Sequence, residues 1–555
     1  MRLRTPHRGE QRGPAAQPPF RRALLGALGR GEALAAALLA LAVAFALLLL
    51  GPPPGDLPAH LYRTALVEDG VLVWDTFWYA GHYPLLTYSP LYYFAAALLG
   101  NDLVALVSVV AAAALFALLV EREWGEAARW PARAFAVVAC APFFTGTYPY
   151  AAGLATGLGA LVALQRGRTW GAIALAALTA GLSPLAFLFL CIAAVAAFLA
   201  GGGRTGRHAV TVGAALVGLG LAQGALLLLY RHESEYPFFR LSELLALVVL
   251  AASCAALALR GEGGRVVALL FGLWALAAAV AFLVPSPIGE NVTRLRGIAL
   301  PLALLAAAIA AWRPRPLVVF AVGGALAYTL VPYVGAAIHR TDTRSAEAAF
   351  WEPALSLLAQ RWSPGYRVEV VPTGDHWEAY WVPGAGFPLA RGWYRQLDIA
   401  GNPLFYEAPL EREEYEAWLR ELGVRYVLLP DTQLGRVGEE REAELLRSGR
   451  SGLLEIARAG DVTLYELPEP TAILTGPGEA RLTALEHDRV TGELGAPGSY
   501  RLAVRWTPTW RVEAGDVCLE EAPDGMTRVV ASAPGAFELG VSAFPRASGC
   551  PAARG

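Results

Sequence analysis

"AFALLLLGPPPGDLPAHLYR", residues 44–63, runs from a greasy helix straight into an acid, a histidine and an arginine. The apolar stretch that ends there begins near residue 33. It is long enough to span a bilayer, because a crossing helix needs roughly 20 residues for a ~30 Å hydrocarbon core. No A-x-A cleavage site follows it, so the basic, Pro/Gly-rich residues 1–31 read as a cytoplasmic tail before a retained anchor, not as a signal peptide. What comes next, 52–100, is then a long first external loop. Asp56 has two readings in that loop: the N-cap of a short helix entered through Leu57-Pro58, or a functional carboxylate held where lipid meets water.

Further apolar segments follow near 102–120, 133–147, 150–164, 169–182, 185–201, 209–230, 241–259, 265–284, 297–312 and 316–337. Together they predict a polytopic α-helical membrane protein with about eleven transmembrane helices over 32–339. Composition agrees, since a chain of 555 residues with 55% hydrophobic and 17% charged residues is too apolar for an ordinary soluble enzyme. The net charge of −2 offers no case for nucleic-acid binding, and every basic residue except histidine is arginine. The five cysteines show no C-x-x-C or Cys/His ligand spacing. Cys140, Cys191 and Cys254 lie in apolar runs and read as packing residues.

Loop charge fixes a predicted orientation, because cytoplasmic loops are enriched in arginine. With the N-terminus inside, the inside loops are "EREWGEAARWPAR", "QRGR", "GGGRTGRH", "RGEGGR" and "RPRP", each with at least two arginines. The outside connections, among them "TGTYPY", "RHESEYPFFRLSE" and "PSPIGENVTRLRG", hold most of the acids and aromatics. An odd number of crossings places residues 340–555 outside the cytoplasm, and the chain in the cytoplasmic (inner) membrane. This tail has globular composition. In its first part, about 340–470, helix and strand signals alternate: Tyr415, Trp418, Leu419 and Leu422 recur at helical spacing, Gly423 is placed to end the helix, and "VRYVLL" reads as a buried strand. The last part, about 471–555, is β-rich and punctuated by Asp-Gly and Pro-Gly turns, as in a small sandwich or sheet. Cys518 and Cys550 both fall there, where an oxidising compartment would permit a disulfide.

The first external loop carries more chemistry than a connector needs. It holds Asp56, His60, Arg63, Glu68, Asp69, Asp75 and His82 among seven tyrosines and tryptophans between Tyr62 and Tyr92. Asp56, His60 and Arg63, at i, i+4 and i+7, share one stripe if "LPAHLYRTALVEDG" is helical. The aromatics suit an interfacial belt lying flat on the membrane. Arg294 and Arg296 in "GENVTRLRG" are arginines on the outer face, where the loop-charge bias would not put them. They either snorkel to headgroups or bind phosphate, which the planar guanidinium fork suits.

An acid a few residues past the first membrane helix, in a long external loop with amphipathic helices, resembles the glycosyltransferase C superfamily. Its members are multipass enzymes that take sugars from polyprenyl-phosphate carriers. The residues that carry the resemblance are "GDLPAHLYR" and, more distantly, "WDTFWYAGHYPLLTYSPLYY". The stretches "RGWYRQLD", "NPLFY" and "YEAWLRELGVRYVLLPD" are similar to the exported tails of bacterial, actinobacterial-like members. The superfamily's acidic motif is often a pair of neighbouring acids, whereas Leu57 and Pro58 follow Asp56 here. The resemblance implies Asp56 as the general base that deprotonates an acceptor hydroxyl, at a membrane surface where partial desolvation raises a carboxylate's pKa. His60, Arg63, Asp75, His82, Glu290, Arg294 and Arg296 become substrate-binding candidates. It also implies membrane lipid, a polyprenyl-phosphate-linked sugar and an envelope glycan, lipid or protein acceptor as partners, and it admits a divalent cation without assigning ligands.

Two other classes compete. A lipid or polysaccharide transporter or flippase is disfavoured by apolar runs almost free of ionisable residues. A non-catalytic scaffold would use the helices only as an anchor for a glycan- or partner-binding tail.

Overall fold

Each apolar segment in the sequence is a helix in the computed structural model, which describes residues 19–81, 83–203, 206–230, 240–339, 342–407, 409–435, 438–545 and 549–550. The bundle is built from α1 (Pro19–Leu50), α4 (Asn101–Trp124), α5 (Arg129–Val138), the single turn α6 (Pro142–Thr145), α7 (Tyr148–Gln165), α8 (Thr169–Leu182) and α9 (Pro184–Ala200). It continues through α10 (Arg207–Leu229), α11 (Leu241–Ala258), α12 (Arg265–Leu283), α13 (Ala299–Ile309) and α14 (Arg315–His339). In the first external loop lie α2 (Leu57–Glu68) and α3 (Pro90–Leu99). Among the described residues, seven helical segments are long and apolar enough to cross a membrane. The segment Asn101–Thr145 counted among them takes in α4, α5 and α6, and α8 and α9 are shorter apolar helices. The chain is a multi-pass membrane protein; among the described residues these seven candidate spans do not confirm the expected count of about eleven.

Small residues explain how the helices close on one another. In α1 the stripe Ala36, Ala40, Ala44 is fully buried, while Leu34, Leu38, Phe45 and Leu49 point outward. The alanine stripe faces Ala105, Ala112, Ala113 and Ala117 within the same core. Close backbone approach through small side chains is how helices associate where lipid is as apolar as leucine.

Contacts sort the loops by side. Arg133 binds Glu32, at the start of the apolar part of α1, with Nε–Oε1 2.8 Å, Gln165 donates to Glu123 at 2.7 Å, and Thr169 meets His208 at 2.8 Å. Gly261 lies against the Ile309 carbonyl and Gly263 against Trp124. All five arginine-rich loops therefore share one side of the bundle. On the other side the Asp56 amide donates to the Thr145 carbonyl at 2.9 Å, Gly181 lies against Leu91, and Tyr230 donates to the Ala543 carbonyl at 2.6 Å.

The C-terminal region follows α14 on that second side. A mixed sheet pairs β3 (Arg367–Val370) in parallel with β4 (Val424–Pro430), and then β6 (Val462–Glu466) and β5 (Leu454–Ala459) antiparallel. The helix Arg412–Glu421 precedes β4, and Gly423 at φ 74° makes the turn between them. Two four-stranded antiparallel sheets come next. One orders β12 (Val517–Glu521), β13 (Met526–Ala531), β10 (Gly498–Arg505) and β7 (Leu474–Thr475). The other orders β11 (Trp510–Ala514), β14 (Gly535–Val541), β9 (Arg489–Leu494) and β8 (Ala480–Leu485), and both bury Tyr500, Trp510 and Phe537 between them. Cys518 and Cys550 are joined as a disulfide.

The aromatics of the first loop do not form a membrane belt. Tyr62, Trp78, Tyr79 and Tyr83 are buried in one core with Trp351, Val368, Leu389 and Leu428 of the C-terminal region. The Trp78 indole donates to the Ala379 carbonyl at 3.0 Å and the Tyr79 hydroxyl to the Tyr394 carbonyl at 2.8 Å. Each ring finds both apolar area and a hydrogen-bond partner inside protein, which outcompetes the half-wet headgroup zone.

Candidate functional site

Asp56 sits just ahead of α2 but does not cap it with its side chain. Its main chain is seized instead by the turn after α6. Gly146, at φ 84°, lies so close that a Cβ there would stand 2.6 Å from the Asp56 nitrogen and 2.8 Å from its Cβ. Only glycine combines that conformation with that approach. The result fixes the Asp56 carboxylate at the mouth of the bundle, three-quarters buried, with Arg294 Nη2 4.0 Å from its Oδ2.

Asp56, Arg294 and Arg296 line one cavity of about 190 Å3, with Thr145, Thr147, Tyr150 and Tyr333. Far-separated parts of the chain meet there: the start of α2, the α6–α7 turn, the 3-10 segment Gly289–Ile298 and α14. Two guanidinium groups and one carboxylate line it, with Arg294 and Asp56 close enough to pair. The Tyr150 hydroxyl is buried without a hydrogen-bond partner among the described residues, an unusual state for such a group unless a ligand completes it. Leu154 and Ile298 form a wall shared with a larger apolar cavity of about 530 Å3, which runs between the helices to Glu123 and Gln165 near the opposite side. A charged pocket thus lies against a greasy slot, the two sides of one wall, and an amphiphile with an anionic head needs both environments close together.

The other sequence candidates are distributed differently. His60 does not line the cavity: it is buried, with Nδ1 3.0 Å from the Tyr93 hydroxyl and its ring stacked on Tyr148. Burial, and then the Arg63 guanidinium, pull its imidazole down to about 3, so it is a neutral packing group. Arg63 is also buried away from the cavity. It donates to the Leu85 carbonyl at 2.6 Å and lies 4.2 Å from the Tyr93 ring centroid, with Tyr83 and Tyr88 beyond. The helical stripe Asp56–His60–Arg63 therefore exists but runs inward from the cavity.

Asp75 lies in β1 (Trp74–Asp75), paired with β2 (Tyr83–Pro84). Its carboxylate accepts from Tyr62 at 2.9 Å and meets His487 Nδ1 at 2.9 Å, on the face toward the β-rich sheets. Glu290, in the first turn of the 3-10 segment, faces Glu243 within electrostatic reach of both arginines but does not line the cavity. His82 lies outside the described residues. Sequence reasoning missed Tyr150, Tyr333 and the Thr145-Gly146-Thr147 turn. The only local signal was Gly between two threonines in "TGTYPY", read simply as an outer connection.

Among the described residues no cluster of three or more His, Cys, Asp or Glu is placed to hold a metal. Among the described residues, the charged side chain set against the Asp56 carboxylate is the Arg294 guanidinium.

No protein-family model matches the chain, and no curated protein matches it by sequence. Solved structures do. The arabinofuranosyltransferase AftD from Mycobacteria superposes with a TM-score of 0.48 at 18% identity, over 80% of this chain and 42% of that one. The oligosaccharyltransferase of Archaeoglobus fulgidus in its apo form gives 0.47 at 12% identity, over 92% and 95%. The AglB oligosaccharyltransferase of the same archaeon, in complex with an inhibitory peptide and a dolichol-phosphate, gives 0.33 at 14% identity, over 74% and 70%. The chain spans less than half the length of the first.

Proposed function

We propose that this protein is a membrane glycosyltransferase that moves a sugar from a polyprenyl-phosphate carrier to an envelope glycan, lipid or protein outside the cytoplasm. The observation that carries the reading is the convergence of Asp56, Arg294 and Arg296 on one cavity that adjoins an apolar slot. Arg294 and Arg296 hold the carrier phosphate, and the slot takes the polyprenyl chain. Asp56 accepts the proton of the acceptor hydroxyl as its oxygen bonds to the anomeric carbon. The bond from that carbon to the phosphate oxygen breaks, and its electron pair leaves on the carrier phosphate, where the guanidinium groups stabilise the charge. The Tyr150 hydroxyl is free to donate to the sugar or phosphate. Asp56 alternates between Arg294 and the incoming hydroxyl, and the 4.0 Å separation of the ion pair leaves room for that exchange.

The test uses the full chain in nanodiscs. Asp56→Asn lowers transfer from a radiolabelled polyprenyl-phosphate sugar by about 10²–10⁴-fold, the usual worth of a general base, while the protein still binds undecaprenyl phosphate. Arg294→Gln with Arg296→Gln weakens undecaprenyl phosphate binding by about tenfold or more, as loss of charge-assisted hydrogen bonds demands. Unchanged transfer in the first variant removes Asp56 as base; unchanged carrier binding in the second removes the phosphate site.

A further inference from the structure

A second recess lies at the other end of α2. Asp56 stands at the helix N-terminus and Asp69 just past its C-terminus, and a helix of twelve residues separates them by about 18 Å. There α2, α15 (Ala348–Ala359) and α16 (Glu378–Gly384) enclose a groove of about 630 Å3. Past Pro383 and Gly384 it continues into a recess of about 370 Å3 walled by Phe77 and Trp362, and His487 borders both. The groove has two features that seldom occur together by chance. Its walls carry aromatic rings, with Tyr380 and Trp381 tilted against each other at 4.8 Å, and the Trp381 indole N–H has no hydrogen-bond partner among the described residues. Its rim carries exposed carboxylates, Asp69 and Glu352, and among the described residues its one basic lining group is His487. That imidazole is held in place by buried Asp75 through Nδ1.

Aromatic faces next to acceptor carboxylates match one ligand chemistry well. A sugar ring lays its C–H face on a π surface and donates its hydroxyls to carboxylates, and it accepts from an indole N–H. The acidic rim repels phosphate and uronate groups. We infer that this groove binds a neutral oligosaccharide, about one helix length from the Asp56 cavity. That the bound chain is an acceptor rests on the function proposed above; that the groove binds sugar does not.

Saturation-transfer NMR on the full protein in nanodiscs tests this with maltohexaose, mannohexaose and α-1,5-arabinohexaose as neutral probes, a hyaluronan hexasaccharide as an acidic one, and triarginine as a cationic peptide. At least one neutral probe binds and hyaluronan does not. Tyr380→Ala and Glu352→Gln each weaken that binding about tenfold, a loss of ~1.4 kcal/mol, without moving the unfolding midpoint. Trp381→Phe, which keeps the ring and removes the N–H, gives a smaller loss in the same direction, and Asp56→Asn leaves sugar binding intact even where it abolishes transfer. The inference is overturned if no neutral probe binds, if hyaluronan or triarginine binds in their place, or if the variants bind like the wild type.

Discussion

At the residue scale the site turns on a contact between main chains. Asp56 owes its position less to its own helix than to Gly146, whose left-handed backbone lets the α6–α7 turn close over it. Replacing Gly146 by Ala adds a methyl where 2.6 Å is available and forces a β-carbon into φ 84°. The expected cost is about 1–3 kcal/mol, with the carboxylate pushed off line. Transfer by Gly146→Ala falls steeply and the thermal midpoint drops, while undecaprenyl phosphate binding at the arginines survives. Wild-type rates in that variant would mean that the turn does not position Asp56. The sequence made Asp56, Arg294 and Arg296 legible because each is a charge in an improbable place. Tyr150 and Gly146 were not legible, since a tyrosine or glycine in a loop is ordinary until the partner it meets is known. His60 and Arg63 looked equally chemical, and spacing alone could not show that α2 turns them inward.

At the scale of elements, the stretches that prompted the family resemblance prove to be a seam between loop and tail. In "RGWYRQLD", Arg391 binds buried Glu369 at 2.8 Å and reaches Glu442. Gly392 lets Trp78 and Tyr79 approach to where a Cβ would stand 2.8 Å from each ring, and Tyr394 receives the Tyr79 hydroxyl. Hydropathy located the helices because lipid demands long apolar runs. It misjudged the loop because a buried aromatic and an interfacial one look alike in sequence, and only the tail explains which these are. Trp78 is the anchor, fully buried and stacked 4.4 Å from Tyr62. Trp78→Ala is expected to cost about 3–5 kcal/mol through the cavity it leaves. It should undock the loop, so that limited proteolysis cuts within 70–90 at a rate well above wild type while the bundle stays intact. Equal protection of the loop in both proteins would argue that the seam holds without this ring.

For the whole molecule the argument concerns sides. Residues 52–81 and the tail share cores, so both lie on one face of the bundle, while the arginine-rich loops are tied together on the other. A chain that enters α1 among those loops and leaves α14 at the tail crosses an odd number of times, whatever the tilt of the short helices. Geometry makes the two faces distinct, and the arginine bias predicts which is cytoplasmic. A lipid-linked donor used outside the cytoplasm requires the cavity on the arginine-poor face to be the outer one. The measurement is a pair of single cysteines, Glu479→Cys on the exposed β-rich surface and Arg168→Cys in the exposed turn before α8, each read with a membrane-impermeant maleimide on intact cells. The bundle's own Cys140 and Cys254 are buried, and half-buried Cys191 is first replaced by alanine to remove background. Glu479→Cys should label and Arg168→Cys should label only after the membrane is opened. The reverse pattern would put Asp56 and both arginines in the cytosol, where the cavity would keep its shape and charge but face a different pool of donors and acceptors.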